Sequence, residues 1–177
     1  LEKQEIFKKV KFKKSYKYVL ALSGILSLDK KLLQWTIYAL KKNKSLKVIL
    51  KPHPTLPISK IMNLNDNIFK TQLKISHENI KKILEKTQIL ISSGPTGILL
   101  ESLVYGCKLF YLFIDPSDIL LFKNIPISKS MYELIEGEKT LLEKMNKFYS
   151  KKIIKKPNNF KKQLYTKVNN KNIQLFF

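Results

Sequence analysis

The sequence contains no arginine: all 34 of its basic residues are lysine. Base readout and bidentate phosphate forks depend on arginine's planar set of donors, so this absence argues against a nucleic-acid partner. Cysteine is nearly absent too. The lone Cys107 excludes an internal disulfide, which fits a reducing cytosol, and a buried thiol acting as a small hydrophobe would account for it. One cysteine and two scattered histidines give no cluster with metal-ligand spacing, so no metal is expected. No apolar run approaches the roughly 18 residues of a membrane span. The opening stretch LEKQEIFKKV lacks the apolar centre of a signal peptide. The expected location is therefore cytoplasmic, with peripheral attachment at the inner face of the membrane as an option. Glycine is scarce as well, five in 177 residues, and two of the five fall within SSGPTG at residues 92–97.

What is present is lysine-rich and globular. Hydrophobic residues make up 44% and aromatics 11%, and the formal net charge is +21. A solvated surface accounts for most of that charge, with attraction to an anionic membrane or ligand as the alternative. Residues 1–17 read as a linker or edge segment, 18–150 as the folded domain, and 151–177 as a basic tail. Within the domain, apolar runs at 18–24, 46–51, 88–92 and 108–113 read as strands, with a weak strand near 68–73 and a short one at 126–128. Helical patterns fall at 29–43, around 58–64, at 77–87 and at 95–106, where Gly106 closes the last one. Asp29 is placed to cap the first helix, and residues 130–150 read as one or two helices.

Short strands alternating with helices of about a dozen residues indicate βαβ units and a parallel sheet. The strands are continuous rather than alternating apolar runs, as expected when helices cover both faces. The expected fold is α/β, a Rossmann-like doubly wound parallel sheet. Ligands in such sheets bind beyond the carboxyl ends of the strands, at the topological switch point. Three loops lie there: SGILSLD with Ser23 and Gly24, KPHPTLP with Lys51 and His53, and SSGPTG.

A helix start offers unpaired N–H groups and a partial positive charge, and small residues let a phosphate approach them. Ser92, Ser93 and Thr96 are candidate donors, Gly94 and Gly97 leave room, and Pro95 suits an early helical position. A plainer explanation has Ser93 capping the helix and Gly97 packing against the sheet. Glu101 either complements the helix dipole or accepts hydroxyls from a ribose. His53 lies between two prolines that restrict its backbone, and as a donor it could stabilise charge on a departing phosphate. Lys51 could assist, although strand alternation could also turn it away. His77 reads as surface, and Asp115 as turn chemistry.

KPHP after the second strand, followed by strand–SSGPTG–helix and LLESLVYGCKLFYL, resembles the donor-binding C-terminal half of GT-B glycosyltransferases. The style is that of bacterial enzymes building capsules, lipopolysaccharide and other surface carbohydrates, among them sialyl-, Kdo- and glycerophosphotransferases. The resemblance implies that His53 and Pro54 are an HP motif contacting the donor phosphate, with His53 the catalytic residue. It implies that Ser92 and Ser93 are a phosphate-binding serine pair and that Glu101 holds the ribose. Lys108 stands where that stretch usually has proline. The implied substrate is a CMP-, CDP- or UDP-linked sugar, used without a further cofactor in an inverting, metal-independent transfer to a glycan or lipid-linked acceptor. GT-B enzymes have two halves and this chain has room for one, so an N-terminal acceptor domain or partner chain is also implied.

Two other readings stay open. A UDP-sugar 2-epimerase shares the architecture and a glycine-rich loop followed by glutamate. A non-catalytic basic module would instead use the tail, with its lysines on anionic lipid and Phe160, Leu164 and Tyr165 at the interface. A helix crossing back to a second half is a further use for that tail.

Overall fold

The computed structural model describes residues 15–62, 67–94, 96–113 and 128–150. Six parallel strands form one sheet: β1 (Tyr16–Ala21), β2 (Val48–Lys51), β3 (Leu73–Ile75), β4 (Thr87–Ser92), β5 (Lys108–Leu112) and β6 (Tyr132–Ile135). Their order across the sheet is β3-β2-β1-β4-β5-β6. The chain therefore winds outward from β1 in one direction, returns to β4 beside β1, and winds outward the other way. The topological switch point lies between β1 and β4, where Tyr18 registers with Val48 on one side and Ile89 on the other. The fold is Rossmann-like, as the alternation of strands and helices predicts.

Five helices accompany the strands among the described residues: α1 (Leu26–Lys42), α2 (Ile68–Thr71), α3 (Ile80–Lys86), α4 (Gly97–Val104) and α5 (Glu138–Tyr149). Consecutive strand residues feed opposite layers. Tyr18 and Leu20 pack with Leu32 and Leu40 of α1 and Met145 of α5, whereas Val19 and Ala21 pack with Leu84 of α3 and Leu103 of α4. Both faces are covered, which is why β1 and β4 read as unbroken apolar runs. The buried Tyr18 hydroxyl donates to the Met145 carbonyl and ties α5 to the central strand. Gln72 ties the far end: its Nε2 reaches the carbonyls of Leu40, Asn43 and Leu46 at 2.9, 2.9 and 3.1 Å.

Several local expectations are corrected. β1 begins at Tyr16, inside the segment read as a linker. The stretch near 68–73 is not one strand: Gln72 N–H bonds back to Ile68 O at 2.9 Å, closing the single turn of α2, and only then does β3 begin. Residues 130–150 are not helical throughout, because Tyr132–Ile135 forms β6 at the sheet edge. The segment pairs in parallel register with β5, from Leu109↔Tyr132 to Leu112↔Ile135, and Glu133 lies between Lys108 of β5, at 2.9 Å, and Lys144 of α5, at 2.7 Å. Burial pushes the Glu133 carboxyl up, but bonds and charge from Lys144 and Lys108 outweigh it and hold it below its ordinary value. Around 58–64 the chain makes a 3₁₀ turn, Ile58–Lys60. The expected strand at 126–128, Pro95, Asp115, the tail 151–177 and residues 1–14 lie outside the described residues or almost wholly so.

Candidate functional site

The loops after β1, β2 and β4 converge beyond the carboxyl ends of the central strands. β1 and β2 stay paired into this edge, since Leu22 N–H donates to the main-chain carbonyl of Lys51 at 3.1 Å. Gly24 then turns the chain with φ +87°, a conformation that glycine adopts without a Cβ penalty. The turn brings it against His53: a Cβ on Gly24 would stand 2.6 Å from Nδ1 and 2.9 Å from Cγ and Cε1. Gly94, at φ +73°, sits on the other side, where a Cβ would lie 3.0 Å from Leu28 Cδ1 and 3.7 Å from Ser23 Cβ. Ser23, Gly24, His53 and Gly94 thus form one contiguous wall, with Lys51 half-buried at its base.

His53 is held by its own loop. Nδ1 is 2.8 Å from Thr55 Oγ1 and accepts the Thr55 N–H at 3.4 Å. With Nδ1 accepting, the neutral ring carries its proton on Nε2 and keeps one N–H to donate.

The start of α4 has a different character. Thr96 occupies the N-cap position, yet its side chain makes no capping bond. Ser93 is fully buried, and Ser93 Oγ and Thr96 Oγ1 are both shielded from water without a hydrogen-bond partner among the described residues. Gly97 is exposed, and a Cβ there would meet nothing within 4 Å. Neither plainer explanation of SSGPTG holds, because Ser93 does not cap the helix and Gly97 does not pack against the sheet. Ser92 differs from its neighbour: its hydroxyl donates to the Ala21 carbonyl at 3.1 Å, cross-linking β4 to β1. Glu101 is exposed one turn into α4. His77 is exposed and distant in sequence from these loops, and Cys107 is buried with its Sγ toward the carbonyls of Thr87 and Leu84.

Asp29 is the residue whose role the sequence misread. It does not precede α1 as a cap, because the helix starts three residues earlier with Ile25 at the N-cap. It is fully buried and reaches back to the loop. Oδ1 accepts from Ser23 N–H at 2.7 Å and Ser23 Oγ at 2.9 Å, and Oδ2 accepts from Gly24 N–H at 2.9 Å. Among the described residues, no group of three or more His, Cys, Asp or Glu is placed to hold a metal ion, and no helix is long and apolar enough to cross a membrane.

No protein-family model matches the chain, and no curated protein matches it. Solved structures do. The chain is similar to TarM, with a TM-score of 0.53 at 14% identity, over 81% of this chain and 30% of that one. It is similar to a GtfA/B complex, with a TM-score of 0.52 at 15% identity, over 80% of this chain and 30% of that one. A mutant S. aureus TarM in complex with fondaparinux, α-GlcNAc-glycerol and UDP gives 0.51 at 18% identity, over 80% and 31%. These neighbours are glycosyltransferases of the GT-B fold. At such identities the likeness is one of fold, and the chain spans under a third of their length.

Proposed function

We propose that this chain is the donor-binding half of a glycosyltransferase that moves a sugar from a nucleotide-activated donor to a surface polysaccharide or lipid-linked acceptor. The observation that carries the reading is the pair of shielded hydroxyls, Ser93 Oγ and Thr96 Oγ1, without a partner among the described residues, at the start of α4 beside the switch point. A buried hydroxyl without a partner costs about 1–3 kcal/mol, which a phosphate oxygen would recover. Because both oxygens are covered, engaging a phosphate requires a small shift of this turn. The positive end of α4 adds attraction for the same anion.

In this reading His53 is the catalytic residue. As the bond from the sugar's anomeric carbon to the phosphate oxygen breaks, charge grows on that oxygen. His53 Nε2–H and the α4 start take up the charge, with no metal ion in the role. Lys51 adds positive charge and Glu101 accepts the ribose hydroxyls. The transfer inverts the anomeric centre when an acceptor attacks from the opposite side. That acceptor and its base belong to a second half, as the chain's coverage of its structural neighbours supports. UDP, present with the mutant TarM, is the first nucleotide to try.

Calorimetric titration of the chain with CMP, CDP, UDP and GDP tests the proposal. Saturable binding of at least one is expected, and binding of none sinks it. His53→Ala should weaken the best nucleotide about tenfold, equivalent to about 1.4 kcal/mol. An unchanged affinity would remove His53 from the site.

A further inference from the structure

The first β–α turn is closed by a carboxylate from its own helix. Successive N–H groups brought together by a residue of positive φ form the kind of nest that binds anions. Here the N–H groups of Ser23 and Gly24 converge, with Gly24 at φ +87°, but the anion they hold is Asp29. Three bonds of 2.7–2.9 Å to a fully buried carboxylate are charge-assisted and therefore among the stronger hydrogen bonds a loop can have. A phosphate approaching this turn would meet a buried negative charge and amides already engaged. At the start of α4 the situation is reversed, since Ser93 is fully buried and its hydroxyl has no partner among the described residues.

We propose that Asp29 is a positioning residue that closes the first turn to phosphate and holds Gly24 against His53, so that the donor's phosphate is directed to the α4 start. The proposal rests on the nucleotide-sugar reading for its ligand and adds that the amides of the first β–α turn are closed to it. The tolerance is small. With the His53 ring already 2.6 Å from where a Gly24 Cβ would stand, a loop released from Asp29 moves the surface on which that ring rests.

The test uses the ¹⁵N-labelled full chain with Asp29→Ala, Asp29→Asn and, as a control, Gln72→Leu at the far end of the sheet. Inorganic phosphate is titrated while the amides of Ser23, Gly24, Thr96 and Gly97 are followed by NMR. Affinity for the best nucleotide is measured alongside. In the unsubstituted chain, phosphate should move Thr96 and Gly97 and leave Ser23 and Gly24 in place. In Asp29→Ala, Ser23 and Gly24 should respond to phosphate, and nucleotide affinity should fall at least tenfold. Asp29→Asn, which keeps one acceptor oxygen but no charge, should lie between. Gln72→Leu should lose stability and keep its affinity within about twofold, separating loop position from general destabilisation. Phosphate-responsive Ser23 and Gly24 amides in the unsubstituted chain would overturn the proposal. So would a folded Asp29→Ala whose amides stay silent or whose affinity is unchanged. If Asp29→Ala does not fold, Asp29→Asn decides by the same criteria. Should no nucleotide bind the unsubstituted chain, the donor reading fails by itself and the phosphate titration still decides the role of Asp29.

Discussion

Gly24→Ala tests the packing of the first two loops without any ligand. Two costs are expected. The first is conformational: holding a residue with a Cβ at φ +87° costs about 1–2 kcal/mol. The second is steric, because the new Cβ would stand 2.6 Å from His53 Nδ1 and 2.9 Å from Cγ and Cε1. Carbon contacts settle near 3.5–4.0 Å, so the ring must retreat by about 1 Å. That retreat strains the 2.8 Å contact with Thr55, a hydrogen bond worth about 0.5–1.5 kcal/mol, and loosens the packing around it. The total is about 2–4 kcal/mol, a large fraction of a typical domain's stability. Only the steric part should vanish when the ring is removed. Urea unfolding of the unsubstituted chain, Gly24→Ala, His53→Ala and the double variant forms a cycle with an expected coupling of about 1–2 kcal/mol, the double variant being less unstable than the sum of the singles. Additivity within about 0.5 kcal/mol would refute the contact, and a neutral Gly24→Ala would refute both terms.

Other consequences are independent of the site. Gln72→Leu strips a donor from three main-chain carbonyls and should cost about 2–4 kcal/mol in urea unfolding; a loss below about 1 kcal/mol would show that those carbonyls find other partners. Glu133 has a folded-state acidity below its ordinary value, so its contribution is complete above the unfolded value and is lost as pH falls through the folded one. The stability gap between the unsubstituted chain and Glu133→Gln should therefore hold steady above the ordinary glutamate range and close as pH falls below it, and a gap independent of pH would contradict the pairing with Lys108 and Lys144. Cys107, 2% exposed, should resist a thiol reagent in the native protein and react fully in denaturant. Rapid native labelling would place it nearer the surface.

The strands most legible in the sequence are those that the sheet buries on both faces. Val19, Leu20, Leu90 and Ile91 all lie at 0% exposure, so burial and apolar run coincide. Legibility fails at the two edges, for different reasons. β3 is only three residues long and follows a four-residue helix after the single residue Gln72, so neither period has room to appear. β6 carries Glu133 where an apolar strand pattern would not expect it, and that carboxylate is met by a pair of lysines, one of them 25 residues earlier in the chain, on the strand β6 pairs with. Local propensity contains no record of such a partner.

The site divides along a similar line. SSGPTG, KPHP and the Ser23–Gly24 turn stand out because small residues and prolines at strand ends are uncommon enough to raise a question, and the strand order then answers where they meet. Asp29 raised no question, since an acid near a helix start has a sufficient explanation as a cap. Its task follows only from the backbone of Gly24, whose positive φ turns two neighbouring N–H groups toward one carboxylate. Once that carboxylate is in place, the loops cease to be equivalent. The turn before α1 is satisfied from within, and the start of α4 keeps hydroxyls that no described residue satisfies. An anion entering the switch point therefore meets an asymmetric edge, with α4 and His53 offering donors while the amides of Ser23 and Gly24 are already engaged by Asp29. That asymmetry, more than the glycines that first mark the loops, is what would give a donor phosphate a single place to bind.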